Sequence, residues 1–589
     1  MIRLGEKMEV VSVNLIVKAC SHATKAHKFP GKSYLTHKIS GSPSDVIVFT
    51  FPGSWHVNDW FHHKQFGQVE INTDLFPSLK SLIPNQPAPL LNEAFLQKFH
   101  QLLLNTSFEK EVGKAKREKN RVIFAGHSSG GPMAILATLW FLEKFENCQT
   151  SPPLCMTFGS PLIGDKILKY AVNRENWARF FLHVVLRYDI VPRIMLTPLS
   201  SIEQDLAKLL LYFNNPKEQS SQTESVAESL FVNVMKNVSC VANHSACSLM
   251  ECTNPLLQNF TNFIDISPYR PFGTYIFCTG NGKLIAVNNP DAVLQLLFSC
   301  AQLTNEAEFS DVAVKSMKQN LGYEDELKES LEMQNLVILD DHLEDQDNSP
   351  ALNDLGLDTR ARLCLRAAAA LEKRKEENQK RVDSYKNKIS EKLNHIKDYQ
   401  TESEARKVGY YDAFKLQNEE RDFQVNVARL ELAGIWDEII EMLKREELPD
   451  AFESRKDWIE LGTSFRRLVE PLDIANYYRH LMNEDTGPYL ITGRPTRYKY
   501  TQRWRENVEK EEKPCESSES CLWAEVEEMK MRPYEEIKNQ IQSMERNLLH
   551  WIDKGMIGRD VFLEQSTFSK WWKPLYQNHR WETCLQHYI

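Results

Sequence analysis

The sequence predicts two structural classes in succession, an α/β region with a mostly parallel sheet and then an all-α region. Strand-like apolar runs alternate with helical patterns through about the first 300 residues, which is typical of a sheet covered on both faces. Strand patterns nearly vanish beyond an acidic, turn-rich stretch at 336–356, which we interpret as a linker. We therefore expect an α/β domain over residues 1–345 and a helical bundle over residues 346–589.

Five apolar runs are the strand candidates of the first domain. They are rich in β-branched and aromatic residues, which favour strands. Their positions are 45–53, 121–126, 153–160, 180–189 and 273–287. The second domain opens with strong helix formers of mixed charge at 359–407, and this composition predicts one or two long helices.

Composition excludes several classes of protein. The 589-residue chain is 42% hydrophobic and carries a formal charge of -9, which argues against general nucleic-acid binding. Its twelve cysteines include no C-x-x-C pair, so we expect neither a metal site nor a disulfide framework, and no cofactor. No apolar run has the length of a bilayer span, and the N-terminus lacks a signal-peptide pattern. We expect an intracellular, reduced protein.

A G-x-S-x-G motif lies between the run 121–126 and an apolar helical pattern. Its residues are Gly126, Ser128 and Gly130, with His127 and Ser129 between them. A strand-to-helix turn of this kind is the nucleophile elbow of α/β-hydrolases, in which the serine hydroxyl is exposed for attack. The backbone amide of Ser129 and the loop at 53–54 are the expected oxyanion donors.

The remaining triad positions are incomplete. Asp189 ends the run 180–189, where an orienting acid belongs, although a turn aspartate that caps the next segment is the alternative. Later in the first domain, His244 precedes the last strand and His342 lies in the acidic linker. The segment expected to carry the base has Asn320 instead, and an amide cannot accept the proton. We expect Ser128 and Asp189 to be a triad remnant that is not required for function.

An apolar stripe precedes the last strand candidate of the first domain. Leu256, Phe260, Phe263 and Ile264 follow one another at helical spacing. Such a helix either packs on the protein's own core or anchors a partner in a groove.

A cationic and aromatic cluster occupies residues 477–505. Its members are Arg479, His480, Arg494, Arg497, Lys499, Arg503 and Arg505, with Tyr477, Tyr478, Tyr489, Tyr498, Tyr500 and Trp504 among them. This chemistry suits phosphate groups and a stacked base, although a solvated helix face is the alternative. No P-loop or G-x-G-x-x-G motif is present, which excludes an NTPase or dehydrogenase site of those types.

Longer motifs resemble a known family. "FAGHSSGGP" followed by "CMTFGSPLIGD" resembles the class-3 lipase domain. Together with "SPYRPFGTYIF", "KVGYYDAFK" and "LDIANYYRHLMNEDTGPYLITGRPTRYKYTQRW", these motifs closely resemble the enhanced disease susceptibility family of plant immune regulators. The resemblance covers essentially the whole chain.

That resemblance implies a function in plant innate immunity. Members of the family pair with a lipase-like partner, either the phytoalexin-deficient protein or the senescence-associated protein. Paired helical domains bind ribosylated adenine nucleotides made by Toll/interleukin-receptor-type immune receptors, and then recruit helper leucine-rich-repeat receptors that trigger defence and cell death. Signalling is reported to need no hydrolysis, and we expect the protein in cytoplasm and nucleus.

Site residues follow from the same resemblance. It implies that Arg479, Arg494, Arg497 and Tyr478 contact the nucleotide, and that the stripe 256–264 is the partner interface. Two other hypotheses stay open. One is an active lipase or esterase that uses Ser128, Asp189 and a histidine elsewhere. The other is a helical interaction module without a ligand, in which the basic cluster docks an acidic protein.

Overall fold

The structure is a computed structural model that describes residues 12–29, 31–40, 45–82, 87–145, 152–214, 221–250, 265–303, 308–332, 335–339, 350–509, 518–585 and 587–588. The chain divides into two compact units. One comprises residues 1–81 and 87–373, and the other comprises residues 82–86 and 374–589. This division separates two compact units and does not test the domain boundary placed after residue 345, which stays a prediction.

Ten strands lie in the described part of the first unit. They are β1 Leu35–Ile39, β2 Val46–Thr50, β3 Gln68–Glu70, β4 Leu90–Asn92, β5 Arg121–His127, β6 Leu154–Phe158, β7 Phe181–Leu186, β8 Thr274–Cys278, β9 Lys283–Val287 and β10 Asn335–Ile338. Eight form one sheet in the order β1-β2-β5-β6-β7-β8-β9-β10, and β3 pairs with β4 separately. The strands β2, β5, β6, β7 and β8 are parallel to their neighbours in that series, which confirms the predicted α/β class.

Two segments differ from their predicted structure. The run 273–287 is a hairpin of antiparallel β8 and β9 rather than one strand, because Gly280 and Gly282 adopt positive φ in the turn between them. The linker interpretation of 336–356 is wrong where β10 pairs in parallel with β9 and where a short helix covers Pro350–Asp354. Residues 340–349 of that stretch lie outside the described residues.

Helices of the described residues are numbered in chain order. Those before residue 355 are α1 Val13–His27, α2 Asn58–Phe61, α3 Glu93–Asn105, α4 Phe108–Arg117, α5 Gly131–Lys144, α6 Lys166–Arg174, α7 Val191–Ile194, α8 Glu203–Asn214, α9 Ser221–Leu249, α10 Pro290–Ser299, α11 Phe309–Leu321, α12 Tyr323–Glu332 and α13 Pro350–Asp354. Those after it are α14 Thr359–Ser384, α15 Lys386–Ala405, α16 Tyr410–Leu416, α17 Glu420–Lys444, α18 Lys456–Arg479, α19 Met482–Thr486, α20 Thr496–Glu509, α21 Leu522–Lys530, α22 Tyr534–Asp553 and α23 Thr567–His579.

The central sheet is covered on both faces. Helix α5 contributes to one apolar cluster, and its residues 131–142 are all buried. Helix α1 contributes Ile16, Ala19 and Ala23 to a second cluster with alternate residues of the central strands, such as Val48 and Ile123. Successive strand residues point to opposite faces, so each strand feeds both clusters. This packing holds the elbow at the end of β5 under α1.

The second unit is helical around an aromatic core. Trp436 of α17 packs against Trp458 and Phe465 of α18, with ring centroids 5.7 Å and 5.0 Å away. Gly462 lets α20 approach closely, because a Cβ there would lie 2.9 Å from the Thr501 methyl group. These contacts fix α18 and α20, which carry most of the cationic cluster.

Candidate functional sites

The predicted nucleophile elbow is present as a strained turn. Ser128 follows β5 and adopts a φ of +51°, which is unfavourable for a residue with a Cβ, and a single turn then leads into α5. Gly126 leaves room for the backbone of Gly130, and a Cβ on Gly130 would lie 2.6 Å from the Phe51 carbonyl oxygen. The glycines are therefore required by close backbone approach, as in a hydrolase elbow.

Asp189 lies just beyond β7, in the position of an orienting acid. Its carboxylate accepts hydrogen bonds from Tyr323 Oη at 2.7 Å and from the Val191 backbone amide at 3.0 Å. Asn320 Nδ2 donates to both carboxylate oxygens, at 3.2 and 3.1 Å. Burial raises the pKa of the Asp189 carboxyl to about 6, although the hydrogen bonds it accepts oppose the rise.

Asn320 of α11 thus takes the hydrogen-bonding position that a triad histidine would have against its acid. An amide nitrogen donates to Asp189 but cannot take a proton from a serine. His127 is no substitute, because its Nε2 is 2.6 Å from the backbone oxygen of Asn320 and donates there. Burial lowers the pKa of the His127 imidazole to about 4, so it is neutral at neutral pH.

Ser128 itself has no activating partner. Its Oγ is buried and makes no hydrogen bond to any described residue. His244 is exposed on α9, and His342 lies outside the described residues. The predicted oxyanion donor is also occupied, because the Ser54 backbone amide donates to Ser129 Oγ at 2.8 Å. The elbow is retained, but no described histidine is placed as its base.

Arg494 is held in a buried ion pair. Its Nε and Nη2 donate to the two carboxylate oxygens of Glu470 at 2.6 and 3.1 Å. Glu470 is fully buried in α18 and also accepts a hydrogen bond from Ser520 at 2.6 Å. Burial alone would lower the pKa of the guanidinium, but Glu470 beside it raises that pKa above its usual value. The pair fixes the turn 487–494 against α18.

The other predicted ligand residues have different partners. Arg497 forms ion pairs with Asp437 at 2.9 Å and Asp473 at 2.6 Å, so its charge is already balanced. Tyr478 donates to Glu528 at 3.1 Å. Arg479 is partly buried, and its hydrogen-bond partners among the described residues are Asn476 at 2.6 Å and His480 at 3.0 Å rather than a carboxylate.

Two further cations of the cluster are unbalanced. Lys499 and Arg503 of α20 are partly buried and form no ion pair with a described residue. Glu470 and Tyr323, the partners of Arg494 and Asp189, were not predicted from the sequence, because each lies far from its partner along the chain.

The predicted partner stripe 256–264 lies outside the described residues. Within the part of the chain that the structure describes, no helix is long and apolar enough to cross a membrane. The same residues contain no group of three or more side chains placed to hold a metal ion.

Fold and site together define a lipase-like α/β protein with a nucleophile elbow whose serine is hydrogen-bonded to no histidine of the described residues. A profile for lipase (class 3) matches residues 48–198, and a profile for the enhanced disease susceptibility 1 protein EP domain matches residues 394–588. A triacylglyceride lipase of Rhizomucor miehei matches 31% of this chain and 76% of its own, at 19% identity and a TM-score of 0.24.

Relatives extend over nearly the whole chain. Protein EDS1L of Arabidopsis thaliana is 39% identical, over 96% of this chain and 97% of its own length. Protein EDS1B of the same plant is 41% identical, over 93% of this chain and 94% of its own length. Lipase-like PAD4 is 27% identical, over 84% of this chain and 82% of its own length. The chain belongs to the enhanced disease susceptibility 1 family, and it is a plant immune regulator with a lipase-like fold.

Proposed function

We propose that this protein is a non-catalytic scaffold of plant immunity. It pairs with a related lipase-like chain, binds a ribosylated adenine nucleotide through its helical unit, and then recruits helper leucine-rich-repeat receptors in cytoplasm and nucleus. The observation that carries the non-catalytic part is Asn320 against Asp189, because a serine hydrolase without its base keeps only a small residual rate.

Pairing is supported by an exposed apolar stripe on α17. Phe423, Val427 and Leu430 succeed one another at helical spacing, and the exposed fractions of Phe423 and Leu430 are 66% and 54%. A stripe of large apolar side chains on a soluble helix is typical of a covered interface. The occupant we propose is the helical domain of a protein related to lipase-like PAD4 or senescence-associated carboxylesterase 101, which are themselves relatives of this chain. Segment 256–264, outside the described residues, is proposed as the pairing segment of the lipase-like unit.

Nucleotide binding is supported by the unbalanced cations of the cluster. Arg479, Lys499 and Arg503 have no ion-pair partner among the described residues, and phosphate groups would supply one. Arg494 Nη1 makes no hydrogen bond to a described residue, whereas Nε and Nη2 are held by Glu470. We therefore assign Arg494 one ligand-facing nitrogen. Arg497 and Tyr478 would contact the ligand only beside their existing carboxylate partners.

The deciding experiment measures nucleotide-dependent assembly. The full chain is purified with its lipase-like partner, ribosylated adenine nucleotides are added, and capture of the helper receptor is measured. Variants are Ser128→Ala, Arg494→Ala and Lys499→Ala, with Lys397→Ala as a control, because Lys397 is an exposed cation on α15. We expect loss of nucleotide-dependent capture in Arg494→Ala and Lys499→Ala, and wild-type capture in Ser128→Ala and Lys397→Ala.

Other outcomes favour the two alternatives. Ester hydrolysis by the wild type that Ser128→Ala abolishes would favour an acyl hydrolase. Partner and helper binding that nucleotides never change would favour a helical interaction module. Because Arg494→Ala leaves the buried Glu470 unpaired, Lys499→Ala decides the question if the Arg494 variant unfolds.

A further inference from the structure

A set of buried polar atoms around the elbow has no hydrogen-bond partner among the described residues. The set contains Ser128 Oγ, Trp55 Nε1, His127 Nδ1 and both ring nitrogens of His27. Ser128 and His27 are each 1% exposed. These residues come from three places in the chain: the end of α1, the loop after β2, and the end of β5. Buried polar groups are normally paired, so several unpaired ones in one place call for an explanation.

Ring contacts show that the set forms one site. The ring of His27 is 4.6 Å from that of Trp55 and 4.6 Å from that of His127, and Ser128 directly follows His127. Gly53 lies between the rings of His27 and Trp55, because a Cβ on it would be 2.7 Å from each of them. The absence of a side chain at Gly53 therefore keeps His27 and Trp55 close.

Lys98 of α3 brings a positive charge to the same place. Its Nζ donates to Ser54 Oγ at 2.6 Å, next to Gly53 and Trp55 in the chain. It forms no ion pair with a described residue, and Asp59 is the carboxylate whose charge acts on it. Burial lowers the pKa of the Lys98 ammonium, and the Lys98 charge in turn contributes to the lowered pKa of His27. The Lys98 ammonium thus has one hydroxyl partner and a carboxylate, Asp59, that acts on it without forming an ion pair.

The unpaired groups are mainly donors. Lys98 has N–H groups beyond the one given to Ser54, Trp55 offers its indole N–H, and Ser128 offers its hydroxyl. The single N–H of a neutral His27 imidazole has the backbone carbonyl of His127 near it, so it is not counted among these free donors. Water could satisfy the neutral groups, but it supplies no negative charge to Lys98. A group with several oxygens and a negative charge satisfies the Lys98, Trp55 and Ser128 donors together, whereas the unprotonated Nδ1 of His127 is an acceptor and needs a donor of its own.

We propose that the site beside the elbow serine binds an oxyanion, a carboxylate or a phosphate group, with Lys98 supplying the positive charge and with Trp55 and Ser128 as hydrogen-bond donors. Lys98 and Trp55 are only partly buried, so the anion enters beside them. Binding requires no base, which agrees with the amide at position 320. The site lies in the lipase-like unit and does not depend on the proposed nucleotide site of the helical unit.

The test is calorimetric titration of the full chain. The probes are octanoate for the carboxylate class, inorganic phosphate for the phosphate class, and octanol as an uncharged control. Variants are Lys98→Met and Ser128→Ala, with Lys98→Arg as a charge-preserving variant and Lys110→Met as the control, because Lys110 is an exposed lysine on α4. We expect one of the two anions to bind the wild type and Lys110→Met. Loss of the charged hydrogen bond should weaken that binding about tenfold to a hundredfold in Lys98→Met, and Lys98→Arg should restore most of it.

Three results would overturn the proposal. They are no binding of either anion, octanol bound as tightly as octanoate, or unchanged anion affinity in Lys98→Met. Circular dichroism checks that each variant folds. Should Lys98→Met unfold, Trp55→Phe decides instead, because it keeps the ring and removes the N–H donor. Unchanged anion affinity in Trp55→Phe together with Ser128→Ala would then count against the site.

Discussion

Removal of the Arg494 side chain should strongly destabilise the helical unit. Glu470 is fully buried and accepts two hydrogen bonds from Arg494. In Arg494→Ala it keeps only neutral partners, the Ser520 hydroxyl at 2.6 Å, Tyr489 Oη at 3.4 Å and the Cys521 thiol at 3.7 Å. Loss of one partner of a buried ion pair costs about 3–5 kcal/mol, because the remaining charge is left without compensation. For a unit of this size the apparent Tm should fall by on the order of 10 °C.

Tryptophan fluorescence follows that unit selectively, because eight of the twelve tryptophans lie in it, at 436, 458, 504, 523, 551, 571, 572 and 581. The double variant Arg494→Met/Glu470→Met should be less destabilised than Arg494→Ala, since it removes both charges. Arg479→Ala is the control, because Arg479 is only partly buried and has no carboxylate partner among the described residues. A loss below about 1 kcal/mol in Arg494→Ala, or a double variant no better than the single one, would refute the reasoning.

Three further predictions concern the base, pH and pairing. Asn320→His should supply a proton acceptor against Asp189, so the rate of ester hydrolysis should rise above that of the wild type. The double variant Asn320→His/Ser128→Ala should hydrolyse the ester no faster than the wild type. If Asn320→His shows no rise, the elbow lacks more than its base. Because His127 has a lowered pKa of about 4, the folded state binds fewer protons than the unfolded one below pH 6.5, so stability falls on acidification. Between pH 7 and 5 the free energy of unfolding of the wild type should fall by about 2 kcal/mol more than that of His127→Gln, which is measured as a larger drop in apparent Tm. Equal drops in the two proteins would contradict this. Leu430→Glu should abolish capture of the lipase-like partner without loss of folding, whereas Met531→Glu, another exposed apolar position, should not.

Local patterns were sufficient for the fold class and the elbow, because strand and helix periodicity and the glycine spacing are properties of short segments. Asp189 and Asn320 could also be matched, since the order of triad positions along the chain is set by the fold. The partners of the cationic residues could not be predicted from the sequence. Arg494 and Glu470 are 24 residues apart, and only the packing of the turn 487–494 on α18 brings them together.

The same limit applies at the elbow. Tyr323 reaches Asp189 because α12 begins immediately after α11, and a change of one residue in that turn would redirect the side chain. Ser129 was predicted to donate its amide to an oxyanion, whereas its hydroxyl accepts the Ser54 amide that the loop was expected to provide. Which donor is used and which is left unpaired depends on distances of a few tenths of an ångström, which spacing in a sequence does not encode.

Ser128 is an unfavourable residue for its own position, and this bears on why the elbow carries a serine. Its φ of +51° costs a residue with a Cβ about 1–2 kcal/mol, and its buried hydroxyl without a partner costs about 1–3 kcal/mol more. Ser128→Gly removes both penalties and adds unfolded-state entropy worth roughly 0.5–1 kcal/mol, so the free energy of unfolding should rise by about 1 kcal/mol or more. An oxyanion bound at the elbow would give the hydroxyl a partner, and the advantage of Ser128→Gly should then shrink in saturating octanoate or phosphate. A variant less stable than wild type without any anion would mean that Oγ already contributes to the fold, and the elbow serine would need no ligand to account for it.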